Sequence, residues 1–309
     1  MDKSKRYNSI DRYYKYKYGK KVAKISINGN FSCPNKDGTK GIGGCIYCSK
    51  SGSGDFAGDK KLNVVDQFYQ IKEVMDNKWP DSLYIPYLQA NSNTYGSIEK
   101  LKSVYEPLTT LEGVVGISIA TRADCFNEEI YNYLDELNKK IPIQIELGLQ
   151  SMHDKTSLLI NRQTTLTEFE EAIKNLRARN IEIVVHIING LPYETKNDML
   201  ETAKYLNSLD IQGVKIHSLL ILKNTALADL YEKENFKILT LEEYVDITVS
   251  QIELLRDDII IHRVGADSSL EDLITPLWTR KKLVVMNEID KLLRKKDSYQ
   301  GIHYSGQLK

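Results

Sequence analysis

Three of the four cysteines fall close together, as Cys33-x11-Cys45-x2-Cys48. The C-x2-C pair lets two thiolates from one turn meet one centre. The intervening stretch holds Gly38, Gly41, Gly43 and Gly44, which let the backbone fold closely around a bound group and expose its N–H groups. The first residues are charged and tyrosine-rich, without the apolar run of a secretory leader, so clustered thiols argue for a metal site over disulfides. Structural zinc wants four ligands; the nearest histidine, His153, is far along the chain, so Cys125 would have to be the fourth. A redox C-x2-C leaves Cys33 without a role. An iron–sulfur cluster also normally takes four cysteines. With three, one iron keeps an open position for a non-protein ligand, by the logic that leaves catalytic zinc open. The glycines lack the strand–helix context of a phosphate-binding loop.

A second set of polar residues sits in runs that otherwise read as strands. By period-two alternation Gln144, Glu146, Gly148 and Gln150 share one face, and Lys215 and His217 share another. Burying them, with His186, costs several kcal/mol unless each finds a partner. Together they point to a polar barrel interior that lines a site, whereas Glu182 reads as solvent-facing. Lys215 and His217 are candidates to orient an anionic substrate group, or else belong to an internal ion pair with an acid such as Glu146. Cys125 ends a strand, where barrel active sites lie, and is either a substrate-facing thiol or a small core residue.

The elements that must position these residues alternate between two types. Strands are expected over Val22–Ile27, Leu83–Leu88, Val114–Ala120, Ile143–Leu149, Ile181–Ile188 and Val214–Leu222. Amphipathic helices are expected over Val64–Asn77, Glu128–Asn138, Leu166–Arg179 and Met199–Leu209. A spacing of about thirty residues between the later strands fits βα units with right-handed crossovers. The expected fold is α/β, a partial (β/α)6 TIM-like barrel with basic N-terminal and C-terminal helical extensions. The expected division is a basic, Tyr-rich segment over 1–21, the barrel over 22–235 and a helical extension over 236–309. The 309 residues are 41% hydrophobic and 27% charged, with no membrane-spanning run, so a cytoplasmic protein is expected.

The net charge of zero conceals an asymmetry. Residues 1–24 carry nine Lys/Arg against two Asp, and residues 278–296 carry seven against two acids, on an acidic body. Five tyrosines, Tyr7, Tyr13, Tyr14, Tyr16 and Tyr18, interleave with the first basic run. Leu283, Met286, Ile289 and Leu293 form an apolar stripe through the second. Cations that neutralise phosphates beside rings that stack on bases suggest RNA. An ordinary helix with a solvated face is the plain reading of the second segment alone.

The stretch Phe31-Ser32-Cys33-Pro34-Asn35-Lys36-Asp37-Gly38-Thr39, followed by Gly43-Gly44-Cys45-Ile46-Tyr47-Cys48, resembles the radical S-adenosylmethionine (SAM) superfamily. Within it the stretch is similar to the YhcC/YtqA-type bacterial branch, related to the radical module of Elongator catalytic subunits. Further matches are Tyr87-Leu88-Gln89-Ala90, Thr121-Arg122-Ala123-Asp124-Cys125, Ile145–Ser151, Asn161-Arg162, Asn189–Thr195 and Lys215-Ile216-His217. The eleven-residue gap departs from the usual C-x3-C-x2-C. Ala123 stands where proline is expected, Gln163-Thr164 where Gly-His is, and Tyr193 where glycine is common.

The resemblance implies a [4Fe–4S] cluster on Cys33, Cys45 and Cys48, with S-adenosylmethionine on its open iron and a 5′-deoxyadenosyl radical as the product of reductive cleavage. It places cofactor contacts at Gln89 and Asn91 near the methionine amino group, at Glu146 and Gln150 near the ribose, at Arg162 for the carboxylate and at Gly190 beside adenine. Cys125, Lys215 and His217 remain as candidates for catalytic roles. The branch is associated with tRNA wobble-uridine modification, in which a carboxymethylaminomethyl group is shortened to aminomethyl. That implies tRNA, an electron donor such as flavodoxin or ferredoxin, and a downstream methyltransferase as partners. The chain length leaves no room for an acetyltransferase-sized extension, so acetylation is not expected. The alternatives are the same chemistry on a small metabolite or peptide, and a non-catalytic zinc-bearing RNA-binding module.

Overall fold

The computed structural model describes residues 5–52, 54–267 and 271–306. Residues 1–4, the start of the basic N-terminal segment and including Lys3, lie outside the described residues. The strands are β1 (Val22–Ile27), β2 (Leu83–Leu88), β3 (Ile117–Thr121), β4 (Ile143–Gln150), β5 (Glu182–Asn189), β6 (Gly213–Ser218), β7 (Ile221–Leu222), β8 (Ile260–Val264) and β9 (Leu273–Thr275). The helices are α1 (Ile10–Tyr18), α2 (Val64–Lys78), α3 (Ile98–Tyr105), α4 (Glu128–Lys140), α5 (Asp154–Leu159), α6 (Leu166–Arg177), α7 (Lys196–Leu206), α8 (Ala226–Glu234), α9 (Leu241–Leu254) and α10 (Lys282–Lys295).

Seven strands form one parallel sheet in the order β1-β2-β3-β4-β5-β6-β8, curled into a half-barrel. Six were expected. The seventh, β8, comes from the segment read as a helical extension, and it joins because Ile260, Ile261 and Val264 bury against β6 and the helices behind it. The run Val214–Leu222 divides: β6 stays in the sheet, whereas β7 leaves it to pair antiparallel with β9.

The outward face of the sheet makes the apolar core. Ile145, Leu147 and Leu149 on β4 and Ile183, Val185 and Ile187 on β5 are buried under the helices. On α6, Phe169, Ala172, Ile173 and Leu176 recur at helical spacing on the buried side. Each large apolar side chain so enclosed contributes about 1.5–3 kcal/mol. Reciprocal capping boxes start α6 (Thr165 with Glu168), α7 (Thr195 with Asp198) and α9 (Thr240 with Glu243). The cap at Thr195 explains why α7 begins at Lys196, before its first apolar position, Met199.

The two basic ends fold differently. α1 lies across the N-terminal end of the barrel: Ser9 bridges Ile261 at the start of β8, and Lys17 stands 3.7 Å from Glu182 at the start of β5. Glu182 therefore faces a plugging helix as well as solvent. Tyr7 and Tyr14 are core residues and Tyr13 and Tyr18 are half-buried, leaving Tyr16, 91% exposed, as the one of the five tyrosines free to stack on a base. α10 packs on α9 through Val285, Ile289 and Leu293. The expected stripe is shifted, because Leu283 is 73% exposed and Val285 takes its place. No described helix is long and apolar enough to cross a membrane.

Candidate active site

At the C-terminal end of the strands, where barrel sites form, a cavity of about 270 Å³ opens. Cys33, Cys45 and Cys48 all line it. The loop after β1 turns back on itself to bring them there. Pro34 O accepts from Lys40 N (2.8 Å) and Gly41 N (3.2 Å), and Asn35 O accepts from Gly44 N (2.7 Å). The eleven-residue gap is thus a folded turn. Gly41 is required there, since a Cβ would run into the Asn35 amide oxygen. Asn161, in the loop between α5 and α6, fastens the turn, donating to Gly44 O at 2.8 Å and accepting from Asn35 Nδ2 at 2.6 Å through its carbonyl.

These thiols suit a metal cluster. Cys45 is pushed down to about 6, chiefly by its hydrogen bond with Cys48; burial opposes this, and Arg122, Tyr47 and Asn35 assist. A thiolate is the ligand form. Cys125 is buried beside Asp124, its thiol raised by burial and by that carboxylate, and it does not line the cavity. A mononuclear zinc site therefore lacks its fourth cysteine. Among the described residues, the one trio of candidate ligands close enough for a single ion is His153, Asp198 and Glu201. Three cysteines lining one cavity, with Cys125 outside that lining, fit a cluster that keeps one open corner.

Below the cysteines, a polar layer fills the barrel interior. Glu146 has no exposed side-chain surface. Its Oε1 accepts from Lys24 Nζ (2.5 Å) and Ser118 Oγ (2.7 Å), and its Oε2 from His186 Nε2 (2.7 Å) and Lys215 Nζ. Burial favours the protonated acid, but Lys215, Lys24 and His186 outweigh it and hold the carboxyl well below its usual range. His186 is lowered to about 4 by burial and Lys215, against the pull of Glu146. The imidazole is therefore neutral at pH 7 and donates from Nε2.

Gln89, Asn91, Gln150 and Arg162 line the same cavity, as do Lys215 and His217. Asn91 is anchored, donating to Phe31 O at 3.1 Å and accepting from Lys36 Nζ at 3.3 Å. Arg162 is enclosed by carbonyls: it donates to Thr164 O from Nε (3.1 Å) and Nη2 (2.7 Å), and to Ser151 O (3.2 Å) and Leu149 O from Nη1. One Nη2 hydrogen is left for anything else. Glu146 meets protein donors on both oxygens, and Lys215 is in the internal ion pair. Gly190 donates its N–H to Met199 Sδ, lies against Leu239 and Leu219, and is not itself among the residues lining the cavity.

Sequence reasoning missed Lys24, Ser118, Arg122 and Arg263. Lys24 was counted with the basic N-terminus, yet period two on β1 already puts it on the face opposite Ile25 and Ile27. Arg122 grips Asp124 with two bonds, 2.9 and 2.8 Å, and reaches Thr164 Oγ1 at 2.7 Å. Nothing in local spacing distinguishes it from a surface arginine.

Residues 39–206 match the model of the radical SAM superfamily, and residues 211–295 that of the Radical_SAM C-terminal domain. The chain is 43% identical to YtqA of Bacillus subtilis (strain 168) over 297 residues, covering 96% of this chain and 92% of that one. It is 30% identical to YhcC of Escherichia coli (strain K12), covering 90% and 89%. A more distant match, 23% identical over 51% of this chain and 29% of the other, is the tRNA uridine(34) acetyltransferase of Methanocaldococcus infernus. Among solved structures, the archaeal Methanocaldococcus infernus Elp3 superposes with a TM-score of 0.66 at 15% identity, over 90% of this chain and 64% of that one. That likeness is one of fold. A half-barrel carrying three cysteines at its open end and a cavity between them and the strands, matched along its length by these relatives, belongs to the radical SAM superfamily, whose cofactors are a [4Fe–4S] cluster and S-adenosylmethionine.

Proposed function

We propose that this chain is a radical SAM enzyme that modifies the wobble uridine of tRNA, shortening a carboxymethylaminomethyl group to aminomethyl. The observation that carries the radical reading is that Cys33, Cys45 and Cys48 share one cavity wall with the strand-end residues Gln89 and Gln150. When bound there, the cluster and S-adenosylmethionine supply a 5′-deoxyadenosyl radical that takes a hydrogen atom from the substrate. The protein holds the three thiolates, places Gln89, Asn91 and Gln150 around the cofactor, and closes the floor with a charge-paired layer. Arg162 keeps the end of β4 and its following turn in shape through its carbonyl contacts.

The uridine reading is supported by the distant match to a tRNA uridine(34) acetyltransferase. It carries with it a cytoplasmic setting, a flavodoxin- or ferredoxin-like electron donor and a methyltransferase acting on the exposed amine. Two measurements test it. Anaerobically purified protein is expected to be coloured and to hold iron and sulfide; colourless protein with zinc alone refutes the radical reading. Wobble nucleosides from cells lacking the gene are expected to retain carboxymethylaminomethyl-uridine, and an unchanged nucleoside profile removes tRNA as substrate.

A further inference from the structure

The barrel floor has more cations than one carboxylate can balance. Glu146 already accepts from Lys24, Ser118, His186 and Lys215, which fills both of its oxygens. Arg263 stands opposite Lys215 in the β6–β8 register, and both side chains line the cavity. The acid nearest Arg263 is Asp267, at 3.5 Å, and Asp267 is already 2.8 Å from Lys282. Lys215 gives one hydrogen to Glu146 and points a second at the Tyr87 hydroxyl, 3.3 Å away; its third is left for the cavity. His217 also lines the cavity, and its buried Nε2 has no hydrogen-bond partner. A neutral imidazole can present an N–H there.

We infer that Lys215, His217 and Arg263 together receive a carboxylate of the substrate, a placement that rests on the radical reading of this cavity. The guanidinium fork and the ammonium suit that planar anion, and an enclosed excess of positive charge disfavours a cationic or purely apolar occupant. Lys215 behaves as a cation short of an anion: burial, with Lys24 and Arg263, pushes it down to about 7 against the pull of Glu146. If the substrate is the modified uridine, the group received is the carboxylate of its carboxymethylamino arm. The same layer would hold the carboxylate of a small amino-acid-like substrate equally well.

The test uses reconstituted holoprotein under anaerobic conditions. Equilibrium dialysis with labelled N-methylglycine is expected to show saturable binding, with methylamine failing to compete. Arg263→Gln, at a half-buried position, should weaken that binding at least tenfold, and Lys215→Met should do the same. Binding of S-adenosylmethionine should change less than twofold in Arg263→Gln. Absent N-methylglycine binding, or binding insensitive to both substitutions, overturns the inference. A parallel loss of S-adenosylmethionine affinity also overturns it, by giving the anion site to the cofactor. In a second arm, anticodon stem-loops with carboxymethylaminomethyl- and aminomethyl-uridine are compared. Wild type should prefer the carboxylated RNA and Arg263→Gln should lose the preference; equal binding of both RNAs by wild type counts against the site. If neither RNA binds while N-methylglycine still binds through Arg263, the carboxylate site stands and the tRNA reading falls.

Discussion

The rim and the floor of this half-barrel are built on opposite terms. Rim residues come from loops, and their reactive atoms face a cavity. Floor residues come from strand interiors, and most of their polar atoms are spent on one another. Cys45 has a thiol ready to ionise; Glu146 has a carboxylate already enclosed by four donors. The difference teaches where each kind of substitution should hurt: rim changes should remove chemistry and leave the fold, and removing the Glu146 charge that ties the floor together should reach the fold itself.

The largest effect expected is at the rim. Cys45→Ala should abolish cluster assembly and S-adenosylmethionine cleavage, with thermal unfolding of the cluster-free protein shifted by no more than a few degrees. Retained iron, sulfide and cleavage would refute the ligand assignment. A collapse of the cluster-free fold would break the contrast with the floor.

Next is Glu146→Gln. It leaves Lys215 buried and Lys24 half-buried without their counter-charge, and breaking a buried pair costs about 3–5 kcal/mol. Urea unfolding of cluster-free protein reads this directly. A loss below about 1 kcal/mol would show the floor to be wetter than its burial implies.

A pH experiment sharpens the same point. His186 is lowered to about 4 when folded, against 6.5 when unfolded. Above pH 6.5 both states are neutral and its contribution is fully present. As pH falls from 6.5 towards 4 the unfolded chain binds the proton and the folded one does not, so stability drops, by up to about 3 kcal/mol. Glu146, also held down, adds a loss of the same sign below its ordinary range. His186→Gln, which can still donate to Glu146, should flatten the upper part of this decline; an unchanged slope between pH 6.5 and 5 would assign the effect elsewhere.

The smallest effects concern the basic ends. Replacing Lys281 and Lys282 with Gln, near the rim, should weaken tRNA binding several-fold and reduce its salt slope by about 2. Replacing the exposed Lys15 and Lys20 at the plugged end should change affinity less than twofold. The reverse ranking, by filter binding across a salt series, would place the RNA at the wrong end of the barrel for the cysteines.

Much of this arrangement was legible in the sequence because it follows from periodicity. The first two strands begin and end where their β-rich runs do, and the polar face of Glu146, His186 and Lys215 follows from period two. The meeting of Cys33, Cys45 and Cys48 at one cavity was legible from type and spacing. What escaped depends on distant partners. Lys24 looks like one more member of a basic tail until β1 turns it inward towards Glu146, 122 residues away. Arg162 looks suited to a carboxylate, yet its fork is occupied by carbonyls of the β4 turn. The tyrosines of α1 look like a stacking platform and are largely a plug, because the bottom of a curled sheet exposes apolar edges that some segment must cover. β8 carries His262 and Arg263 between its apolar residues in a run of five, which weakens its strand signal in the sequence.

The plug has one more consequence. With α1 laid across the N-terminal end, fastened to β8 through Ser9 and Ile261 and running on into β1, the barrel has its doorway at the rim. A macromolecule seated over that doorway shuts it. S-adenosylmethionine must then arrive first, and its fragments must wait for the larger guest to leave. For the macromolecular substrate proposed above, the order of binding becomes a property of the architecture, to which a nine-residue helix at the far end from the chemistry contributes.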